Sequence, residues 1–147
     1  MDYSLRLLSI KSYSEKVIAD KLIHKGFSTS ETAQAVKKLK GYGYVDDEKY
    51  GKNLVEDGKR RLIGRIKTMY CMHKKGLSKG LIEDLLERYY TPEEEKEIAS
   101  SALEKKMPGL LRFKVNGIIF KKKLYDFLQR RGFSSGIVED ILDNFGE

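Results

Sequence analysis

Between Gly58 and Ile82 the chain carries eight basic residues and no acidic one: Lys59, Arg60, Arg61, Arg65, Lys67, Lys74, Lys75 and Lys79. Between Lys105 and Tyr125 it carries seven more, again without an acid: Lys105, Lys106, Arg112, Lys114, Lys121, Lys122 and Lys123. Such tracts do electrostatic chemistry. Lysine and arginine displace counterions from phosphate chains and hold polyanions without reading a sequence. The formal net charge of +7 over 147 residues points the same way, less specifically. Some of this charge has a simpler use. Acidic residues open two segments (Asp46, Asp47, Glu48 and Glu93, Glu94, Glu95) and the pairs Lys74–Lys75 and Arg130–Arg131 close others, as helix dipoles favour. Two acid-free stretches at matched positions exceed what capping requires, so the tracts read as a surface for a polyanion.

Residues suited to catalysis are sparse. His24 and His73 each precede a glycine by two or three positions, where a basic ring suits a helix C-terminus. Cys71, between two methionines in "TMYCMHKKG", is expected on or near the core, and a lone Cys with His two positions on is not a nucleophile–base pair. The doublets Glu83–Asp84 and Glu139–Asp140 point in different directions on a helix. Gly41 and Gly43 bracket a tyrosine and lack the Lys-Ser/Thr of a phosphate loop. A single cysteine builds neither a disulfide framework nor a metal cluster. The expectation is a non-enzyme without metal or cofactor. No run reaches the ~18 apolar residues of a membrane span, and "MDYSLRLLSIKSYS" lacks a signal-peptide pattern, so a cytoplasmic chain free of the membrane is expected.

The elements that must carry the charges announce themselves by repetition. "KKGLSKGLIEDLLERY" (74–89) and "RRGFSSGIVEDILDNF" (130–145) say nearly the same thing. In each, a helix stops and another starts. Gly76 or Gly132 takes the left-handed C′ position, Leu77 or Phe133 pins both helices, and Ser78 or Ser134 caps the new one. A fainter copy, "LIHKGFSTSETAQAVKKL", offers Gly26, Phe27 and Ser28, with Glu31 completing a capping box. Nine, ten and thirteen residues after these glycines stand Ala35, Val36, Leu39; Leu85, Leu86, Tyr89; and Ile141, Leu142, Phe145, one helix face written three times. "GYGYVDDEKY" supplies a boundary, with Gly43 as a stop, Tyr44 as its apolar contact, Asp46 as a cap, and Val45 and Tyr50 as a staple. "YYTPEEE" supplies another, with Thr91 as cap, Pro92 at N1 and Glu94 at N3.

These signals predict helices near 2–11, 14–25 and 28–41; 46–60, 64–75 and 78–89; and 92–106, 116–131 and 134–145, with 107–117 a loose connection. The fold class is all-α: an elongated, curved array of three tandem three-helix repeats over 1–43, 44–90 and 91–147. A repeat of this size buries too little surface to stand reliably alone, so stacking is expected to create one continuous core. Function then belongs to the surface along the stack. Lys59, Arg60, Arg61, Arg65, Lys67, Lys74, Lys75, Lys121, Lys122, Lys123, Arg130 and Arg131 are expected to fall along one side as a cationic stripe.

"SLRLLSIKSYSEKVIADKL", "GYVDDEKY", the spaced Gly64 and Lys75-Gly76-Leu77, and "FLQRRGFSSGIVEDILDNF" resemble, in order, the RecX regulatory proteins of bacteria. The resemblance runs through essentially the whole chain. It implies a modulator of the RecA recombinase in DNA repair, recombination and the SOS response. Such a protein lies in the groove of the RecA filament, limits strand exchange, ATP hydrolysis and co-protease activity, and also contacts single- or double-stranded DNA without strong sequence preference. A monomer is expected when free. The competing reading is a stand-alone helix-turn-helix regulator, since helix, tight corner and second helix are also that motif's parts.

Overall fold

The computed structural model describes residues 2–111 and 117–145. Among them are nine α-helices and no strand: α1 (Asp2–Ile10), α2 (Glu15–Lys25), α3 (Thr29–Gly41), α4 (Asp47–Arg60), α5 (Arg65–Lys74), α6 (Lys79–Tyr89), α7 (Pro92–Leu111), α8 (Gly117–Arg130) and α9 (Ser135–Phe145). The corners form as their chemistry dictates. Gly26, Gly43, Gly76 and Gly132 all have positive φ, from +79° to +116°. Each closes a C-terminal turn in which the next residue's N–H reaches back to the helix: Phe27 to Leu22, Tyr44 to Leu39, Leu77 to Met72 and Phe133 to Leu128. Ser28 and Glu31 make the reciprocal capping box, Ser78 and Asp46 accept from Leu81 and Lys49 N–H, and Thr91 accepts from Glu94 N–H.

Three details depart from expectation. α7 runs through Pro108 to Leu111 instead of ending at 106. Proline's fixed φ is helical, and near a helix end its main penalty is the unpaired carbonyl four residues back, on exposed Glu104, which water can satisfy. Residues 112–116 of the connection, with Arg112 and Lys114, lie outside the described residues. Tyr44 closes its turn by backbone alone. The residue is 56% exposed and its ring meets Tyr42 edge-on at 6.3 Å, while Val45 is the residue that packs inward. A fifth corner has no positive-φ glycine. Leu62 takes φ +57°, with Ile63 N–H donating to Gly58 O, so "RLIG" turns with its glycine one step later, at the N-cap of α5.

The core is not continuous. Ile18, Leu22, Val36, Leu39 and Val45 form one cluster with the apolar side of α1. Val55, Met72, Leu77, Ile82, Leu85, Leu86 and Tyr90 form a second, and Ala99, Ala102, Leu103, Leu124, Leu128, Phe133, Val138, Ile141 and Leu142 a third. Ile98 flanks the last two. The principal helix contacts are α2 with α3, α4–α6 among themselves, and α7–α9 among themselves. Each three-helix unit therefore closes its own small core, although Leu62 of the second unit packs against the third cluster and Ile98 of the third against the second. The solvent-accessible surface of 9564 Å² also exceeds the ~7,700 Å² of a compact 16.9 kDa monomer, as an array requires.

Candidate polyanion-binding face and its junctions

What joins the units is largely polar, and its hydrogen bonds are built the same way twice. At the first junction, Ser14, the N-cap of α2, donates its hydroxyl to Lys75 O at the end of α5 and accepts Val17 N–H. The next N–H, of Glu15, donates to the Asp47 carboxylate of α4 at 2.8 Å. At the second junction the N-cap of α5 is Gly64, whose own N–H donates to Arg131 O at 2.8 Å. The next N–H, of Arg65, donates to the Glu95 carboxylate of α7 at 3.0 Å. In both cases a helix start, rich in unpaired N–H groups, docks on the residue just before the next unit's corner glycine and on an acid of that unit's first helix. Burial raises the Asp47 carboxyl above its ordinary range, against the pull of the Glu15 N–H.

The second junction is the closer one. Ile66 N–H also donates to Gly132 O, at 3.0 Å. A Cβ on Gly64 would lie 2.3 Å from Gly132 O, and a Cβ on Gly132 would lie 2.2 Å from the Lys67 Cβ, so neither position has room for a side chain. Glu95, 1% exposed, accepts from Arg65 N–H, Ser134 N–H and the Ser134 hydroxyl together. Ser134 thus uses its hydroxyl between helices, where Ser28 and Ser78 use theirs as caps. Arg131 donates Nε to Leu62 O at 2.9 Å and Nη2 to Arg61 O. Tyr89 packs against the second cluster as expected, and Tyr90, fully buried beside it, donates its hydroxyl to Ile63 O at 2.7 Å; burial raises its pKa well above the ordinary phenol value.

These contacts sort the expected stripe. Lys59 is not a free cation: its side chain is only 18% exposed, and its ammonium is held by Glu94 and Tyr89 O, with Glu56 at 3.7 Å. That bond keeps the Glu94 carboxyl below its usual range. Arg131 is spent on the junction, and Arg65 is half-buried, its Nε without a hydrogen-bond partner among the described residues. Arg60, Arg61, Lys67, Lys74, Lys75, Lys121, Lys122, Lys123 and Arg130 are exposed. Of these, Arg60 and Arg61 share Asp57 at 3.3 and 3.7 Å, so a tract free of acid in sequence is not free of it in space.

The junction gathers the backbone of Arg61–Lys67 with Arg131 and Gly132. Lys74 and Lys75 stand at the far end of α5, beside the first junction, and Lys121–Lys123 stand two to three turns before Arg131 on α8. Sequence reasoning missed Glu95 and Asp47 as junction acids, since both sit in acidic helix starts that the dipole alone explains. It also placed Cys71 near the core, whereas it is exposed. The α5 residues turned inward are Thr68 and Met72, four apart, which leaves 71 outside.

Residues 93–142 match the third three-helix domain of RecX, and residues 1–39 match its first. A regulatory protein RecX from Caldanaerobacter subterraneus subsp. tengcongensis is 37% identical over 142 residues, covering 97% of this chain and 68% of that protein. One from Clostridium botulinum is 33% identical over 129 residues, 88% of this chain and 60% of its own length, and one from Pelodictyon phaeoclathratiforme is 31% identical over 143 residues, 97% and 86%. The chain thus spans between 60% and 86% of the length of these relatives. In fold it superposes on the crystal structure of RecX from Lactobacillus salivarius with a TM-score of 0.87, covering 97% of this chain and 92% of that one at 22% identity. A second crystal structure, of a regulatory protein RecX, gives 0.79 at 26% identity, covering 97% of this chain and 69% of that one. None of the helices among the described residues is long and apolar enough to cross a membrane. With its three-helix units, its glycine corners and these relatives in agreement, the chain belongs to the RecX family of regulatory proteins.

Proposed function

We propose that this chain binds the filament of the RecA recombinase as a monomer and restrains its activities, with accessory contact to single- or double-stranded DNA of low sequence preference. Its activity is binding, without catalysis, in the cytoplasm. One observation carries the reading beyond family membership. Exposed cations from two units, among them Arg60, Arg61, Lys67, Lys74, Lys121–Lys123 and Arg130, project from a framework in which Ser14, Glu95, Ser134 and Arg131 are committed to joining units. A polyanion within a larger nucleoprotein assembly suits such a surface. The helix-turn-helix alternative fits less well. α6 and α9, the candidate recognition helices, expose Glu83–Asp84 and Glu139–Asp140 near their starts, where phosphate contacts would fall.

The direct test is ATP hydrolysis by RecA on single-stranded DNA with this protein added. Hydrolysis is expected to fall as the protein approaches stoichiometry with RecA. Unchanged hydrolysis at large excess, with no sedimentation of the protein with filaments, rejects the proposal. A tight, sequence-dependent complex with duplex DNA alone would favour the alternative.

A further inference from the structure

The second helices of the three units occupy one register, counted back from their corner glycines. Six residues before Gly26 and Gly132 that register holds an exposed acid, Asp20 on α2 and Asp126 on α8. Six residues before Gly76 it holds Tyr70, a residue 63% exposed. The exception matters because of its surroundings. α5 contains no acidic residue, Lys67 and Lys74 lie one turn to either side of Tyr70, and the Lys74 ammonium sits 5.6 Å from the ring centroid. Two more exposed rings, Tyr42 and Tyr44, stand directly before Asp46, Asp47 and Glu48, where phosphate is repelled. Glu83 and Glu87 flank α5 as well, lining a cleft with Arg65, Ile66 and Met69 whose lining does not include Tyr70.

An exposed ring between cations is of no use to a duplex, whose bases are already stacked. Against an unpaired strand it offers a flat π-face for one base, while the neighbouring ammonium groups meet the flanking phosphates. We infer that Tyr70 is a base-stacking platform, through which the middle unit prefers single-stranded over duplex nucleic acid. This rests on the DNA contact proposed above and adds to it a strand preference and a residue. The matched acids on α2 and α8 confine the platform to one place in the array.

The test compares the unaltered chain with Tyr70→Phe, Tyr70→Ala and Tyr70→Lys, each titrated at fixed salt into a labelled oligothymidine and a blunt duplex of equal length. Tyr70→Ala should weaken single-strand binding by roughly 5- to 150-fold, with little change on duplex, and Tyr70→Phe should keep the preference. Tyr70→Lys is the sharper variant. It adds attraction to both ligands, so a purely electrostatic surface gains on both, whereas loss of a stacking platform lowers the single-strand to duplex affinity ratio despite the added charge. A ratio unchanged in the Ala and Lys variants overturns the inference and leaves the DNA contact standing. Binding of neither ligand by the unaltered chain overturns both.

Discussion

Replacing Gly64 by alanine isolates the unit-to-unit junction from everything else in the chain. Gly64 has φ −75° and ψ 172°, a conformation alanine adopts without strain, and it makes no side-chain cap that could be lost. Considered locally, alanine loses glycine's advantage at an N-cap but gains about 0.4–1 kcal/mol through the unfolded state, so the net change should be small. The added Cβ, however, would lie 2.3 Å from Gly132 O, 2.4 Å from Gly132 C and 2.4 Å from the Phe133 Cα. Those are backbone atoms of a corner with little freedom to retreat, so α5 must lift from the third unit. The bonds across the gap are Gly64 N–H to Arg131 O, Ile66 N–H to Gly132 O, Arg65 N–H to Glu95, and the two from the Arg131 guanidinium to Leu62 O and Arg61 O. At about 0.5–1.5 kcal/mol net for each, and with some retained, the loss is about 2–5 kcal/mol, which outweighs the local gain. Gly80→Ala is the matched control. Gly80 lies in the first turn of α6 with nothing within 4 Å of its Cβ position, so the same change there should be neutral or slightly stabilising. Urea unfolding followed by far-ultraviolet circular dichroism reads both. A Gly64→Ala midpoint at or above that of the unaltered chain would refute a junction held by close backbone contact.

Two further outcomes follow from the sorted charges. Reversing Arg60, Arg61 and Lys67 to Glu should weaken filament or DNA binding and flatten its dependence on salt while helical content is kept, since all three side chains are exposed; an unchanged salt slope would make the tract merely solubilising. Because the Lys59 bond holds Glu94 below the ordinary carboxylate value of 4.5, that pair stabilises the fold fully above this value and ceases to do so as pH falls through the depressed one, so Glu94→Gln should flatten the acid limb of a melting-temperature profile, and an unaltered limb would show the pair contributes nothing.

The helices and corners were legible because each boundary is written in local chemistry. A glycine with an apolar residue and a serine after it specifies a stop, a contact and a start, and three such sets with one helical face between them specify a repeat. What the sequence did not disclose is how repeats meet. Glu95 looks like one more acid in a helix start, and nothing local distinguishes it from exposed Glu93, yet it is the one that is buried and shared by two units. Likewise Gly64 has an ordinary φ, so its necessity comes from Gly132, 68 residues away in the chain. The expected role of Tyr44 failed for a related reason: its backbone makes the turn, while Val45, one residue on, has the direction that reaches the core.

The separate cores change what the basic residues can be asked to do. Had the units shared one hydrophobic interior, their mutual angle would be set by packing, and every surface cation would be available to a partner. Because each unit closes its own cluster, the angle at the second junction rests largely on a few directed bonds to Glu95, Arg131 and two glycines that tolerate no Cβ, beside the apolar contacts of Leu62 and Ile98. Arg131 and Lys59 are therefore structural cations whose removal would disturb the array before it touched any ligand. A loss of binding in either variant would be uninterpretable. The nearby Arg130, exposed at the same helix end, is the residue whose substitution can separate the two roles, since it leaves the bonds of Arg131 in place while removing a charge from the surface.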